Sequence, residues 1–233
     1  MKDIILTTYF TTKPDPQRGT TWAPDDPDLM SGWIDTVTDL DLTGVVFHDE
    51  PVGSRKNGKV SFVPWPLRTA WSCNDERFLC WLDFLEGAGK TDVTIDHVFL
   101  TDLFDVDFFR DPFDLITARH DLYLGCGAGY PRPIGENRWL CAKMTAAYGR
   151  VYHPDKCTVN AGVIGGRYAD VVRLLRHMVN DFIRLKSDQN INMAVFNRAV
   201  YDLFDEDRIM IGPPVCSLFK KYQQTGDFCI RHK

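Results

Sequence analysis

A chain of 233 residues with 44% hydrophobic and 12% aromatic content has enough apolar side chains for one sizeable core, which argues for a single domain and against disorder. A formal net charge of −5 and a pI near 5.7 argue against a nucleic-acid partner, because phosphate-backbone binding is driven by clustered Lys and Arg. Seven scattered cysteines without a C-x-x-C pair or zinc-finger spacing read as free thiols of a reducing cytosol. With no signal-peptide core and no run of about eighteen apolar residues, a cytoplasmic location without a transmembrane segment is expected.

Taken in order, Asp3–Thr11 is rich in β-branched and aromatic residues and reads as a buried first strand. The loop 12–19 carries two prolines and the cations Lys13 and Arg18, where open α/β sheets place ligands beyond strand carboxyl ends; a solvated surface loop is the alternative. Turn and cap residues 24–28 precede an apolar repeat at helical spacing from Leu29 to Leu40, and 42–49 reads as a second strand. Strand, helix, strand over about fifty residues is the βαβ pattern of a parallel sheet. His48-Asp49 ends the second strand, where it could touch a ligand, although a lone His there is more often structural. A short third strand spans 60–63, and Ser72 starts a helix whose apolar face runs from Phe78 to Leu85. Gly87-Ala88-Gly89-Lys90 lacks the full phosphate-loop pattern and reads as a glycine cap.

Val98 to Thr101 then form an apolar strand, and the chain delivers Asp102, Asp105 and Asp107 within six positions. Carboxylates this close repel one another unless a cation sits among them, and Mg²⁺ or Mn²⁺ takes oxygen ligands of this kind, with phosphate oxygens commonly filling its remaining positions. A solvated acidic turn is the alternative. Phe108-Phe109 and Asp111-Pro112-Phe113 return the chain to burial and then to a turn.

The stretch 122–133 contains Gly125-Cys126-Gly127-Ala128-Gly129 but lacks dinucleotide-binding spacing and runs into prolines, so it reads as a loop. A helix over 137–148 places Trp139, Leu140, Met144 and Ala147 on one side. Thr158–Gly166 alternates small and strand-forming residues, which lets a backbone or a flat ligand approach closely. Residues 168–183 form an amphipathic helix. Ser187, Asp188 and Asn190 are suited to cap the next one, and Cys229–Lys233 closes the chain either as a functional segment or as a frayed end.

The acidic strand end, followed by an apolar pair and Arg110-Asp111-Pro112, resembles the D-x-D segment of GT-A glycosyltransferases. Counting back from Arg110 puts Asp105 at the second acid, and one inserted residue gives Asp102-x-x-Asp105. Asp107 is then either a ligand in an Asp105-Val106-Asp107 triplet or a polar residue on the outer face. Asn160-Ala161-Gly162-Val163 is similar to the family's N-A-G-V segment, Asp188-Gln189 to its D-Q helix start, and His232-Lys233 to its late His and Lys. In a second register, Asn192 takes the place of the acid.

The resemblance implies a GT-A-like α/β fold with a mixed, mostly parallel sheet flanked by helices. One domain would span 1–233, its nucleotide-binding part roughly 1–113 and its acceptor part roughly 114–233. It implies a metal-dependent hexosyltransferase of polysaccharide biosynthesis. The donor is a nucleotide diphosphate sugar, UDP favoured over GDP, the acceptor is a saccharide or glycan hydroxyl, and retention is favoured over inversion. Metal ligands would be Asp102, Asp105, Asp107 and His232, with Mn²⁺ suited to the imidazole and Mg²⁺ as the alternative. Thr8, Tyr9, Arg18, Arg77, Asp102, Gly162 and Lys233 would hold the nucleotide, while Asp188, Asn160 and Arg77 would serve the transfer itself. Two alternatives stand beside it: a metal-dependent phosphoesterase or nuclease using the three aspartates, and a non-catalytic nucleotide- or carbohydrate-binding module.

Overall fold

The computed structural model of the protein describes residues 2–24, 26–50, 56–90 and 94–233. Strand β1 (Lys2–Tyr9) lies inside the sheet with both faces covered, so its apolar run has no polar alternation: Ile4 and Leu6 enter one core layer, Ile5 and Tyr9 the other. Helix α1 (Pro27–Asp39) starts where Asp26 accepts the N–H groups of Asp28 and Leu29, with Pro27 preset for the first turn. Its buried face, Met30, Trp33, Ile34 and Val37, returns the chain to β2 (Gly44–His48), parallel to β1 as the βαβ pattern predicts.

Beyond β2 lie the two-residue β3 (Lys56–Asn57) and β4 (Val60–Pro64). Helix α2 (Cys73–Ala88), capped by Ser72, leads to β5 (Ile95–Thr101), parallel to β1 on its other side. Gly89 closes α2 as expected but keeps a right-handed φ of −63°. What requires glycine there is Tyr168, whose hydroxyl would lie 2.7 Å from an added Cβ.

The strand Leu122–Cys126 corrects the expected loop: it is β7, between β8 (Val159–Arg167) and β9 (Ile209–Ile211). Its glycine-rich end misleads because the small residues serve packing, a Cβ on Gly127 falling 2.7 Å from the Thr158 side chain. The main sheet runs β3-β4-β2-β1-β5-β8-β7-β9, with only β3 and β8 running against the other strands, so the expected mixed, mostly parallel α/β sheet is present. A separate two-stranded sheet joins β6 (Val106–Phe108) to β10 (Ile230–His232).

Three further helices complete the layers: α3 (Arg138–Tyr148), α4 (Tyr168–Leu185) and α5 (Asn192–Leu203). Helices α2, α4 and α5 cover one face of the sheet, and α1 with β6 and the β10 segment covers the other. No helix among the described residues is long and apolar enough to cross a membrane. Ser187, Asp188 and Asn190 do not cap α5. Its N-cap is Ile191, whose N–H is accepted by the buried Asp75 carboxylate at 3.2 and 3.3 Å.

Helix α5 is tied to the sheet by the fully buried Asn197. Its Oδ1 accepts the Val159 N–H at 2.9 Å, and its Nδ2 donates to the Val159 and Met193 carbonyls, both at 2.9 Å. One amide side chain thus pairs the backbone at the start of β8. Asn197→Ala leaves that buried N–H and C=O without partners and is expected to cost about 2–4 kcal/mol, read as a lowered denaturation midpoint with the denaturant slope unchanged.

Candidate metal centre and cleft

Strand β5 delivers its carboxylates to a fixed point because its last residue is tied on three sides. Thr101 Oγ1 accepts from Trp33 Nε1 and its carbonyl from Thr7 Oγ1, both at 2.9 Å, and the Asp102 N–H reaches the Gly162 carbonyl at 2.9 Å. The chain then turns through Leu103 and Phe104 to Asp105 and enters β6. Antiparallel pairing of β6 with β10 sets His232 opposite Val106, and Lys233 N–H donates to the Asp105 carbonyl at 2.8 Å. A residue 127 positions after Asp105 is therefore placed beside it by backbone alone.

His232 Nε2 lies 3.9 Å from Asp102 Oδ2 and 3.9 Å from Asp105 Oδ1. One donor from each of the three residues falls within 4.8 Å of the others. Ligands on opposite sides of an ion with bonds of about 2.0–2.6 Å lie roughly 4–5 Å apart, so the set suits one hard divalent cation, two carboxylates supplying charge and an imidazole completing it.

The electrostatics agree. The Asp105 carboxyl is pushed up to about 7, first by burial and then by the neighbouring Asp102 charge. Burial opposes the Asp102 charge as well, but the Arg77 guanidinium outweighs it, with His232 adding, and holds that carboxyl low. Burial depresses His232 to about 4 against the pull of Asp102, leaving a neutral imidazole with a lone pair to give. Its Nδ1 is buried without a hydrogen-bond partner among the described residues, and Phe219 packs on the ring at 4.4 Å.

Gly162 is required beneath this cluster. A Cβ there would lie 2.5 Å from His232 Cε1 and 2.6 Å from Asp102 Oδ2. It sits in a bulge: β7 pairs Leu124 with Ile164 but Gly125 with Asn160, so three residues of β8 are left over, and Asn160 Oδ1 closes them by accepting the Gly162 N–H at 2.8 Å. The segment singled out for its small residues thus places a glycine under the carboxylates and Asn160 at the cleft wall.

Asp107 lies outside this group. Asp105 still lies in the turn while Asp107 lies in β6, and the change of chain direction between them points Asp107 toward α1, where a Cβ on Gly32 would stand 2.8 Å from its Oδ1. It is buried and bound by Arg231, whose Nε donates at 2.8 Å, and by Lys233 at 2.9 Å. Its charge is spent on two cations.

A cleft of about 770 Å³ opens over the cluster. Thr8, Arg18, Arg77, Asp102, Asp105, Asn160 and Lys233 line it, so most of the expected residues converge. Arg77 is buried, pairing with Asp102 and donating to the Ala161 carbonyl at 3.4 Å, which makes it a support for a ligand rather than a free cation. Arg18 pairs with Asp15 at 2.9 Å, whereas Lys13 is committed to Glu76 at 3.0 Å.

Tyr9 and Asp188 do not reach the cleft. Tyr9 is buried behind it, donating to the Ala23 carbonyl and packing edge-on against Phe104. Asp188 is exposed on the turn before α5; Asn190 and Asn192 line the wall in its stead. Asp49 accepts the Thr11 and Thr12 N–H groups at 2.8 and 2.9 Å and shapes the loop after β1, and His48 is buried with Nδ1 at 2.7 Å from the Glu50 carbonyl.

Sequence reasoning missed the aromatic rim. Trp22 and Phe104 pack at 4.8 Å, and Phe219, Tyr222 and Trp139 also line the cleft. Trp139, expected on the apolar side of its helix, is 48% exposed there. The legible signal was Trp139 and Lys143 at i, i+4, which share a helix face. Lys220 and Tyr222 hold φ of +63° and +50°, costing roughly 1–3 kcal/mol each, a strain concentrated on the segment that covers His232.

Asp75 seats the asparagine wall, and burial pushes its carboxyl up to about 6 against the opposing hydrogen bonds of Ser72 and Ile191. Between pH 4 and 6 the folded chain keeps a proton that the unfolded chain has lost, so stability from this group is full below about pH 4 and gone above about pH 6. Asp75→Asn retains an acceptor for Ile191. It is expected to flatten the stability profile across that window and to raise stability at pH 7 by up to about 2–3 kcal/mol, measured by thermal melts from pH 4 to 7.

The chain matches no protein-family model and no curated protein at a significant level, so what the site can do rests on its own geometry.

Proposed function

We propose that the protein is a metal-dependent glycosyltransferase of GT-A type, moving a sugar from a nucleotide diphosphate to the hydroxyl of a glycan. The observation that carries this reading is the convergence of Asp102, Asp105 and His232 on one point beneath a wide cleft walled by amides, cations and aromatic rings. A divalent ion held by these three, Mn²⁺ in preference to Mg²⁺, would neutralise charge developing on a diphosphate leaving group.

The chain's own residues have distinct tasks in this reading. Arg77 keeps Asp102 ionised and oriented, and Gly162 leaves room for the ion's surroundings. Lys233 and Arg18 supply positive potential on the two flanks of the diphosphate, and Trp22 with Phe104 offers a flat apolar surface for a nucleobase beside Thr8. Asn160 and Asn192 face the sugar. Asn160 has its Oδ1 occupied by Gly162, so its Nδ2 is the group left to donate. Among the described residues, Asp15 is the only carboxylate lining the cleft besides the two proposed ligands, and it is engaged by Arg18 and by the Gln17 and Arg18 backbone. Lack of a free carboxylate base favours retention over inversion.

The phosphoesterase alternative needs three aspartates around the metal, and the engagement of Asp107 with Arg231 and Lys233 weighs against it. Incubation with Mn²⁺ and a panel of UDP- and GDP-sugars tests the proposal. Slow release of nucleoside diphosphate is expected, reduced at least about 100-fold in Asp105→Ala, with Mn²⁺ affinity falling in Asp102→Ala and Asp105→Ala. Phosphate-ester cleavage without sugar turnover would assign the alternative chemistry, and nucleotide binding without any turnover would reduce the protein to a binding module.

A further inference from the structure

The cations of the cleft fall into two groups. On the side of the metal cluster each is already paired: Arg77 with Asp102, Arg18 with Asp15 and Lys233 with Asp107. The others have no carboxylate partner among the described residues. Arg132 gives Nη2 to the Glu136 carbonyl, Lys143 stands 6.0 Å from the Trp139 ring centroid, and Lys220 stands 5.5 Å from that of Phe219. All three line the same cleft as the cluster.

In a chain of net charge −5, where several surface Arg and Lys pair with carboxylates at 2.6–3.3 Å, three cations without a carboxylate partner on one concave wall are a local concentration of positive charge. The wall is also built for a sugar ring. Trp139 lines the cleft and is about half exposed, and Asn137 beside it is held in place by capping α3 through the Leu140 N–H at 3.2 Å. A flat indole covers the apolar face of a pyranose, while the Lys143 ammonium one helical turn from Trp139 and the Arg132 guanidinium on the loop before α3 match an acidic substituent on it.

We propose that the acceptor is an anionic saccharide, bound with a sugar ring on Trp139 and its acidic group between Arg132 and Lys143, with Lys220 contributing from the opposite rim. The inference rests on the glycosyltransferase reading for the identity of the reaction, but the binding it describes is measurable without turnover. The donor diphosphate does not account for these cations, because in that reading the metal, Arg18 and Lys233 already serve it. Carboxylate, sulfate and phosphate substituents share the required chemistry.

The test uses matched oligosaccharides that are neutral or carry a uronate, a sulfate or a phosphate, offered with Mn²⁺ and the nucleotide sugar that the protein hydrolyses. The expected result is a preference of at least about tenfold in kcat/KM for one anionic form, steeply reduced by added salt. Arg132→Ala with Lys143→Ala is expected to collapse it to within about twofold through acceptor KM, and Trp139→Ala to weaken neutral and anionic acceptors alike by roughly tenfold. Equal use of neutral and anionic acceptors, or a double variant whose defect falls on donor KM, would overturn the inference while leaving the transferase reading intact. If no nucleotide sugar is turned over, the transferase reading falls, and titration calorimetry of the same oligosaccharides decides this one: binding that the double variant loses supports it, and no binding overturns it.

Discussion

Everything at the candidate site depends on three residues of backbone pairing. The antiparallel match of Ile230–His232 with Val106–Phe108 is too short to be stable by itself, and it forms because both strands are clamped between α1 and the segment 215–219. Ser217 reinforces it, its hydroxyl accepting the His232 N–H at 2.9 Å and donating to the His232 carbonyl at 3.2 Å. Through this pairing a distant imidazole acquires a fixed position relative to two carboxylates. Without it the acidic turn after β5 would hold only Asp102 and Asp105, a weak and poorly defined site for any ion.

Two aspartates two positions apart meet opposite fates because one sits in a turn and the other in a strand. Asp105 and Asp107 differ by two residues, yet the turn ends between them and β6 begins. Asp105 therefore faces the cleft with its charge unpaired, and Asp107 faces α1 and anchors Arg231 and Lys233. The second aspartate holds the strand that carries His232, so the acidic stretch supplies both an ion site and the fastening of its third ligand. Burying Asp107 costs little only because both its oxygens are engaged; a lone buried carboxylate would cost several kcal/mol, about the scale of a domain's whole stability.

The cleft is polarised by the same pairing logic. Near the carboxylates, each cation has a carboxylate partner that partly offsets the positive potential it adds. Across the cleft, α3 and the loop before it carry cations with no carboxylate partner among the described residues, next to an exposed indole. Such charges are stabilised by solvent in the free protein and become available when a ligand displaces that solvent. Amides in place of acids along the wall from Asn160 to Asn192 keep the space between the two zones neutral.

The sequence by itself determined the βαβ start, the long helices and the placing of acids at a strand end, because these follow from local periodicity and capping: Trp33, Val37 and Val46 repeat as their elements require, and Asp26 and Ser72 cap where they stand. The N-A-G-V segment was also legible, since small residues in a strand signal close approach. Only the tertiary structure decided which acid faces the cleft, that Asp188 is left exposed while Asn192 lines the wall, that Trp139 faces solvent, and that β7 is a strand. Each of those depends on a partner far along the chain, on Arg231 for Asp107 and on Asp75 for the turn before α5, and no local pattern encodes a contact across more than a hundred residues.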